Sequence, residues 1–414
     1  MPVLSLSPEV AAPPRPARLG RLGILLLLAH FGWLLPTAAG ATLIQALLAR
    51  TDPAAKLAHY ATLCTVGAVA AALANLAFGV LSDRTRSRFG RRNPWILAGG
   101  LTASAALSAT SLVHGFTALA ALWLVFQIAL NALLGPLLAV LPDRVDPAEL
   151  GQASSYVGVG QLLAQSLGGV VAGWFLAVPE AGLRWVPWLI AAGAVAFFLL
   201  APDRSGRGEP REPFSPALLL RALRPPRDAD FAWALAGRFL AVLSLSIVLL
   251  YQLYTLTDYL RLSPAATAGA LATSGVVLAV CSGTAVAVAG PLSDRWRRRK
   301  VFVTAAALLM GLAVLPLAVT PSLGAFYAVM AFGGLGYGAY LAVDQALMAE
   351  VLPDQEHRAK DLGILNIANT APQIAGPAIA LAAVPALGFH ALFLLAATAA
   401  VAGAACILPI RRVR

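Results

Sequence analysis

Charge is what this sequence has least of. Only 12% of its 414 residues are Asp, Glu, Lys or Arg, about half the ~25% typical of soluble domains. That scarcity excludes an ordinary water-soluble enzyme and a disordered chain, which rely on charge to stay solvated. Cysteine is nearly absent as well. Cys64, Cys281 and Cys406 lie in three separate apolar runs with no CxxC spacing. A disulfide scaffold is excluded, metal and redox roles are disfavoured, and the three thiols read as small packing residues. No GxSxG, HExxH or Walker string occurs. His357-Arg-Ala-Lys-Asp361 reads as a charge cluster at a helix start rather than a transferase dyad. No catalytic residue, cofactor or metal is expected, and a membrane-embedded enzyme is the remote alternative.

What is present is apolar. Hydrophobic residues make up 59% of the chain, and the mean hydropathy is +0.78. No charged residue occurs from Leu22 to Ala49, Leu57 to Ser82, Asn93 to Pro142, Leu262 to Ser293, Val301 to Val343, or Leu362 to Ile410. One bilayer crossing needs ~20 such residues, and backbone in lipid must satisfy its own hydrogen bonds, so these runs are helices. Splitting them at turn residues predicts twelve, near 22–48, 57–81, 94–113, 116–140, 152–177, 185–201, 230–256, 264–291, 301–319, 322–350, 361–383 and 387–409. The fold class is therefore an all-α polytopic membrane protein.

The net charge of +11 invites a nucleic-acid reading. The basic residues instead form short clusters beside apolar runs without aromatic interleaving, so no nucleic acid is expected. With the N-terminus inside, twenty-five Lys and Arg fall on the cytoplasmic side and four (Arg50, Lys56, Arg184, Arg261) on the other. That asymmetry places both termini in the cytoplasm of a cell membrane.

The chain also repeats. Gly79-Val-Leu-Ser-Asp83-Arg84 matches Gly290-Pro-Leu-Ser-Asp294-Arg295, and Val140-Leu-Pro-Asp143 matches Val351-Leu-Pro-Asp354 in the same register. Two parallel six-helix halves are a common plan of secondary transporters, with the substrate site between them. The expected organisation is a tail (1–21), a first bundle (22–201), a cytoplasmic linker (202–229), a second bundle (230–409) and a short tail (410–414). Pro216–Leu223 could form an interfacial helix in the linker.

The string Gly79-x-Leu-Ser-Asp83-Arg84-x-x-Ser-Arg88-Phe-Gly90-Arg91-Arg92-Asn-Pro94 resembles the loop 2–3 signature of the major facilitator superfamily (MFS). Its extended form is similar to that of the sucrose carriers and the glycoside–pentoside–hexuronide symporters, and Phe31-Gly32-Trp33 on the first helix also looks like the sucrose-carrier type. The resemblance implies twelve spans in two pseudo-symmetric halves and alternating access. It points to proton-coupled uptake of a sugar or glycoside by a monomer in the lipid bilayer, with proton-linked export of a drug or metabolite as the alternative. Two departures matter. Helices 2 and 4 lack the acidic residues of sodium-coupled members, and helix 5 (Ser166–Gly173) lacks the Gly-Pro signature of many drug antiporters.

Two constellations are candidates for function. The first is a cytoplasmic gate of Asp83, Arg84, Arg88, Arg91, Arg92, Asp143, Asp294, Arg295 and Asp354, in which carboxylates at helix ends meet arginines and Asp83 approaches the positive start of helix 11. The competing reading is topology charges worth ~0–1 kcal/mol per exposed pair. The second lies within the membrane, where ionisable residues are functional suspects. Arg238 and Asp344 are each roughly 12 Å deep, and an unpaired charge there is costly, so the two are expected to pair. Asp344 is then a proton carrier or substrate acceptor, or the pair only joins helices 7 and 10. His30 on helix 1 mirrors Arg238, and Asn131 falls near the Asp344 position. Trp33, Gln127, Gln161, Tyr251, Tyr340, Gln345, Asn369 and Gln373 complete the candidate substrate and proton pathway, though such residues also join membrane helices at ~0.6 kcal/mol each. Asp258, near the outer end of helix 7, reads as a solvated terminus.

Overall fold

The computed structural model describes residues 19–146, 149–203, 228–351 and 358–412, and among them the chain is helical, without strands. In chain order come α1 (Leu19–Thr51), α2 (Lys56–Arg84), α3 (Asn93–Ala109), α4 (Phe116–Arg144), α5 (Leu150–Trp174), α6 (Pro179–Trp185) and α7 (Trp188–Leu200). The second half of the chain holds α8 (Ala229–Leu250), α9 (Pro264–Trp296), α10 (Arg299–Val319), α11 (Leu323–Ala328), α12 (Gly334–Val351) and α13 (Arg358–Ile407). Side-chain caps start three of these: Asp228, Ser263 and Ser322 accept from the backbone N–H three residues on, which satisfies donors that a helix start leaves free.

Nine helical segments of the described residues are long and apolar enough to cross a membrane. α3 has only 17 residues. α5 is diluted by Gln152, Ser154, Ser155, Gln161, Gln165 and Ser166. The 50-residue α13 turns at Gly388 (φ 77°) and so contains two helices. Twelve crossings are compatible with this set.

The structure moves several predicted ends. The fourth helix runs four residues past 140 and contains both Pro136 and Pro142, as membrane helices allow when neighbours satisfy the freed carbonyls. The sixth is in two pieces, because Pro187 lacks the N–H that would continue the ladder from α6. The seventh stops at Leu250 and continues through Gln252–Tyr254 and a π-helical turn at Thr255–Tyr259. A second π turn, Val329–Gly333, separates α11 from α12. The linker's interfacial helix, Arg15, Arg18, Asp354 and His357 lie outside the described residues.

Helix packing repeats between the two halves of the chain. In the first, α1 packs on α5, α2 on α4, α3 on α4, and α3 on α7; in the second, α8 packs on α13, α9 on α12, α10 on α12, and α10 on α13. Across the halves, α5 meets α9 and α2 meets α13. Large apolar side chains such as Leu73, Leu112, Leu312 and Val319 are exposed on the outside. Trp174, Trp185 and Trp188 are exposed near one end and Trp233 and Trp296 near the other, as in the aromatic belts of membrane proteins.

Candidate functional site

Arg238 on α8 and Asp344 on α12 meet deep in the second half. Arg238 Nη1 donates to Asp344 Oδ2 at 2.9 Å, and the two residues are 6% and 2% exposed. Ala234, Ala241, Tyr340, Val343 and Leu347 belong to the buried cluster of the same bundle. Tyr340, one turn before Asp344 on α12, interacts with its carboxylate, yet neither the Tyr340 hydroxyl nor Asp344 Oδ1 has a hydrogen-bond partner of good geometry among the described residues. Two buried charges therefore face one another, and one carboxylate oxygen has no partner among the described residues. Removing either member of such a pair costs about 3–5 kcal/mol, because the other charge stays buried.

The first half places amides and a histidine at the corresponding depth. His30 is fully buried and its Nδ1 donates to Leu26 O at 2.9 Å, leaving Nε2 without a partner among the described residues. Trp33 meets the His30 ring edge-on at 6.4 Å, and its Nε1 is likewise unpartnered among the described residues. Asn131 on α4 donates to Gln127 O at 2.9 Å and accepts from Asn75 Nδ2 at 3.3 Å. Gln127 itself packs beside Gly67 of α2. Gln161 is partly buried on α5, and Gln373 is exposed on α13. Tyr251 stands apart from this level: it is 1% exposed and its hydroxyl donates to Pro377 O at 3.4 Å, among the tyrosines described below. The side chains of Gln345 and Asn369 lie outside the described residues.

The arginine-rich end ties the first half to itself. Arg92 reaches Asp83 at 2.5 Å and Asp143 at 2.9 Å, and Arg91 reaches Asp143 at 2.9 Å. Arg92 also donates to Ser82 Oγ, so one guanidinium joins α2, the start of α3 and the last turn of α4. Beside it Arg144 pairs with Asp203 at 3.0 Å, donates to Ala201 O, and donates to Asn93 Oδ1. Asn93 in turn donates to Ala201 O at 2.9 Å, so the end of α7 is held by α3 and α4. Arg144 had only a topological reading in the sequence. Arg84 has an interaction of its own, Arg88 lies over the Phe89 ring, and Arg295 is exposed. The side chains of Asp294 and of the start of α13 are outside the described residues, as is Asp354.

At the opposite end the two halves are joined. Lys56, the first residue of α2, pairs with Asp258 of the π turn at 2.8 Å and lies 5.2 Å from the centroid of the Tyr254 ring. Gln45 of α1 donates to Leu250 O at 3.0 Å and Tyr254 donates back to Gln45 O at 3.2 Å. Tyr60 meets Tyr251 and Tyr254 edge-on at 5.8 and 6.0 Å. Asp258 is thus not the solvated terminus expected of it; its partner lies 202 residues earlier in the chain.

Three glycines mark where the halves touch, Gly173 of α5 among them, where a Cβ would sit 2.8 Å from Ala268 O. A Cβ on Gly169 of α5 would sit 2.9 Å from Leu271 O, and one on Gly275 of α9 would sit 2.6 Å from Ser166 O. Further along the same two helices, toward the arginine-rich end, a Cβ on Gly158 or Gly283 would meet nothing within 4 Å. Among the described residues, the polar links between the two halves are likewise at the end opposite the arginines. Among the described residues no group of three or more His, Cys, Asp or Glu could hold a metal ion.

The model of the family "Major Facilitator Superfamily" matches residues 22–288 and 236–414. Among solved structures, the chain is similar to a D-xylose-proton symporter (14% identity, 94% of this chain and 97% of that one, TM-score 0.68). It is similar as well to a point mutant of the nucleoside transporter NupG (14% identity, 94% and 99%, TM-score 0.71). A third such structure is a bacterial homologue of the human lysosomal transporter Spinster, inward-facing and occupied (15% identity, 96% and 98%, TM-score 0.69). At these identities the likeness is one of fold. No curated protein matches.

Proposed function

The chain belongs to the Major Facilitator Superfamily, and on that premise we propose that this membrane transporter carries a sugar or glycoside inward together with protons, by alternating access. It is a transporter and not an enzyme. The observation that carries the proton part is the Arg238–Asp344 pair. A carboxylate that is 2% exposed, held by one arginine and with one oxygen unpartnered among the described residues, is a place where a proton can be taken up and given back. The membrane-spanning parts of α2 and α4 carry no acidic residue, which speaks against sodium. The sugar part rests on the amides Asn75, Gln127 and Asn131 in the first half, whose donors and acceptors suit hydroxyl groups, and on the likeness of the 79–94 string to the sucrose carriers.

By the positive-inside rule the arginine-rich end is cytoplasmic. On that assignment the present conformation faces inward. In it the bonds of Asp83 and Asp143 to Arg91 and Arg92 run within the first half. When the transporter opens outward, the two halves meet at this end, and the same cluster becomes the cytoplasmic gate together with Arg84, Arg88, Asp294, Arg295 and Asp354. His30 and Trp33, whose His Nε2 and Trp Nε1 have no partner among the described residues, are the first-half candidates for substrate contact.

The test is uptake into proteoliposomes of a panel of sugars, glycosides and cationic drugs, with and without an imposed pH gradient. Acid outside should drive accumulation of at least one sugar or glycoside. Extrusion of a drug against a pH gradient, with no response to any sugar, would replace this reading with that of an exporter.

A further inference from the structure

We propose that Lys56 and Asp258 form the lock of the outer gate, and that the tyrosines beneath them, Tyr60, Tyr251 and Tyr254, are its plug. The inference rests on the sidedness proposed above and goes beyond it, since neither charge had a role in the gate read from the arginine-rich end.

Lys56 opens α2 in the first half, and Asp258 sits in the π turn that ends the α8 segment in the second. Lys56 is one of only four basic residues expected at this end. It meets a carboxylate of the other half at 2.8 Å, with side-chain exposures of 18% and 27%. A pair this far out of water is screened less than a surface one. Thr257 also donates to the Asp258 carboxylate, so the acceptor is held in position before the lysine arrives. The ammonium lies over the Tyr254 ring as well, an attraction that vanishes if the halves part.

Below the pair the aromatic layer is closed. Tyr60, Tyr251 and Tyr254 are each at most 1% exposed. Tyr60 comes from the first half and the other two from the second, and their edge-on contacts run across the interface. Their hydroxyl side is anchored: Tyr254 donates to Gln45 O and Tyr251 to Pro377 O. Opening this end must break the ion pair, both Gln45 hydrogen bonds and the ring contacts together. All of these stabilise the closed outer end and none survives outward opening, so they bias the equilibrium between the two states by their differential free energy. Contacts within one half, such as Arg50 with Glu180 at the same end, move as a body and bias nothing.

Cys64 reports on the lock directly. It lies one turn after Tyr60 and against Tyr251 and Tyr254, on the inner side of the plug. With Cys281 and Cys406 replaced by Ala, a membrane-impermeant maleimide is applied to each face of oriented proteoliposomes and the rate of Cys64 alkylation is measured. Lys56→Ala and Asp258→Asn should each speed labelling from the outer face about 2- to 5-fold, and the exchanged pair Lys56→Asp with Asp258→Lys should return it to the parent rate. Tyr60→Ala, which leaves both charges in place, should speed it further. Unchanged rates in the single variants overturn the lock, as does an exchanged pair that labels as fast as they do. Acceleration from both faces equally signifies loosening rather than opening and overturns it too. Acceleration confined to the other face supports the lock and overturns the proposed sidedness instead.

Discussion

Replacing Asp344 with Asn removes one unit of charge and almost no volume. In this structure the consequence falls on Arg238, which is 6% exposed and donates to Asp344 Oδ2 at 2.9 Å. Its guanidinium cannot shed its proton, so the Asn variant leaves a buried cation facing a neutral amide. Breaking one side of such a pair costs about 3–5 kcal/mol, a large share of the roughly 5–15 kcal/mol that separates folded from unfolded in ordinary domains. The variant should therefore melt earlier. The double variant Arg238→Met with Asp344→Leu, which removes both charges and fills the same space, should recover most of that loss. Function should divide differently. If Asp344 carries the proton, both variants lose gradient-driven accumulation while substrate exchange at equal pH persists in whichever remains folded. The assay is paired: ΔpH-driven uptake and counterflow in the same proteoliposomes, with melting followed by size-exclusion after heating. Undiminished accumulation in a folded Asp344→Asn protein would refute the proton role and leave the pair as a joint between α8 and α12.

Other variants probe the remaining contacts. Asp83→Asn removes one of the two carboxylates on Arg92; transport should fall several-fold while membrane insertion, read by immunoblot of the membrane fraction, is unchanged. Arg144→Met takes the guanidinium away from Asp203, Ala201 O and Asn93 Oδ1, so it should destabilise by about 1–3 kcal/mol, visible as earlier melting with little change in substrate affinity. Gly169→Leu would drive a side chain into the Leu271 carbonyl across the interface. Overpacking of ~1–3 kcal/mol then acts only on the closed outer end and shifts the protein toward the outward-facing state, measurable as faster outer-face labelling of Cys64.

The sequence is legible in this fold where one residue class decides the outcome. Uncharged runs longer than a bilayer must become helices, and the residues from Leu22 to Ala49 and from Asn93 to Pro142 do so with ends only a few residues from those expected. The Arg238–Asp344 contact was readable for a related reason: two opposite charges at one depth in apolar helices have few other partners. Features that depend on the packing of distant segments were not readable. Asp258 looks like any polar residue at a helix end until the fold brings Lys56 beside it. Arg144 counts as one topology charge until Asn93, Ala201 and Asp203 converge on it. Local breaks escaped for another reason. Pro136 and Pro142 continue a helix, whereas Pro187, lacking the same N–H, precedes a new one, and the residue type does not tell the two outcomes apart. Asp83, Asp143, Arg91 and Arg92, grouped in the sequence by type and by nearness to helix ends, meet across α2, α3 and α4; which of them turn to face one another is set by the packing of those three helices.

All of this depends on two bundles that part at one end while they meet at the other. The most direct measurement is the distance between spin labels at Gly158 of α5 and Gly283 of α9, read by double electron–electron resonance in lipid. A Cβ at either position would meet nothing within 4 Å, so a label fits there. A long distance should be the main population in the parent protein, and it should shift toward a short one when Asp258→Asn releases the outer end. A single distance, the same in both proteins, would contradict it.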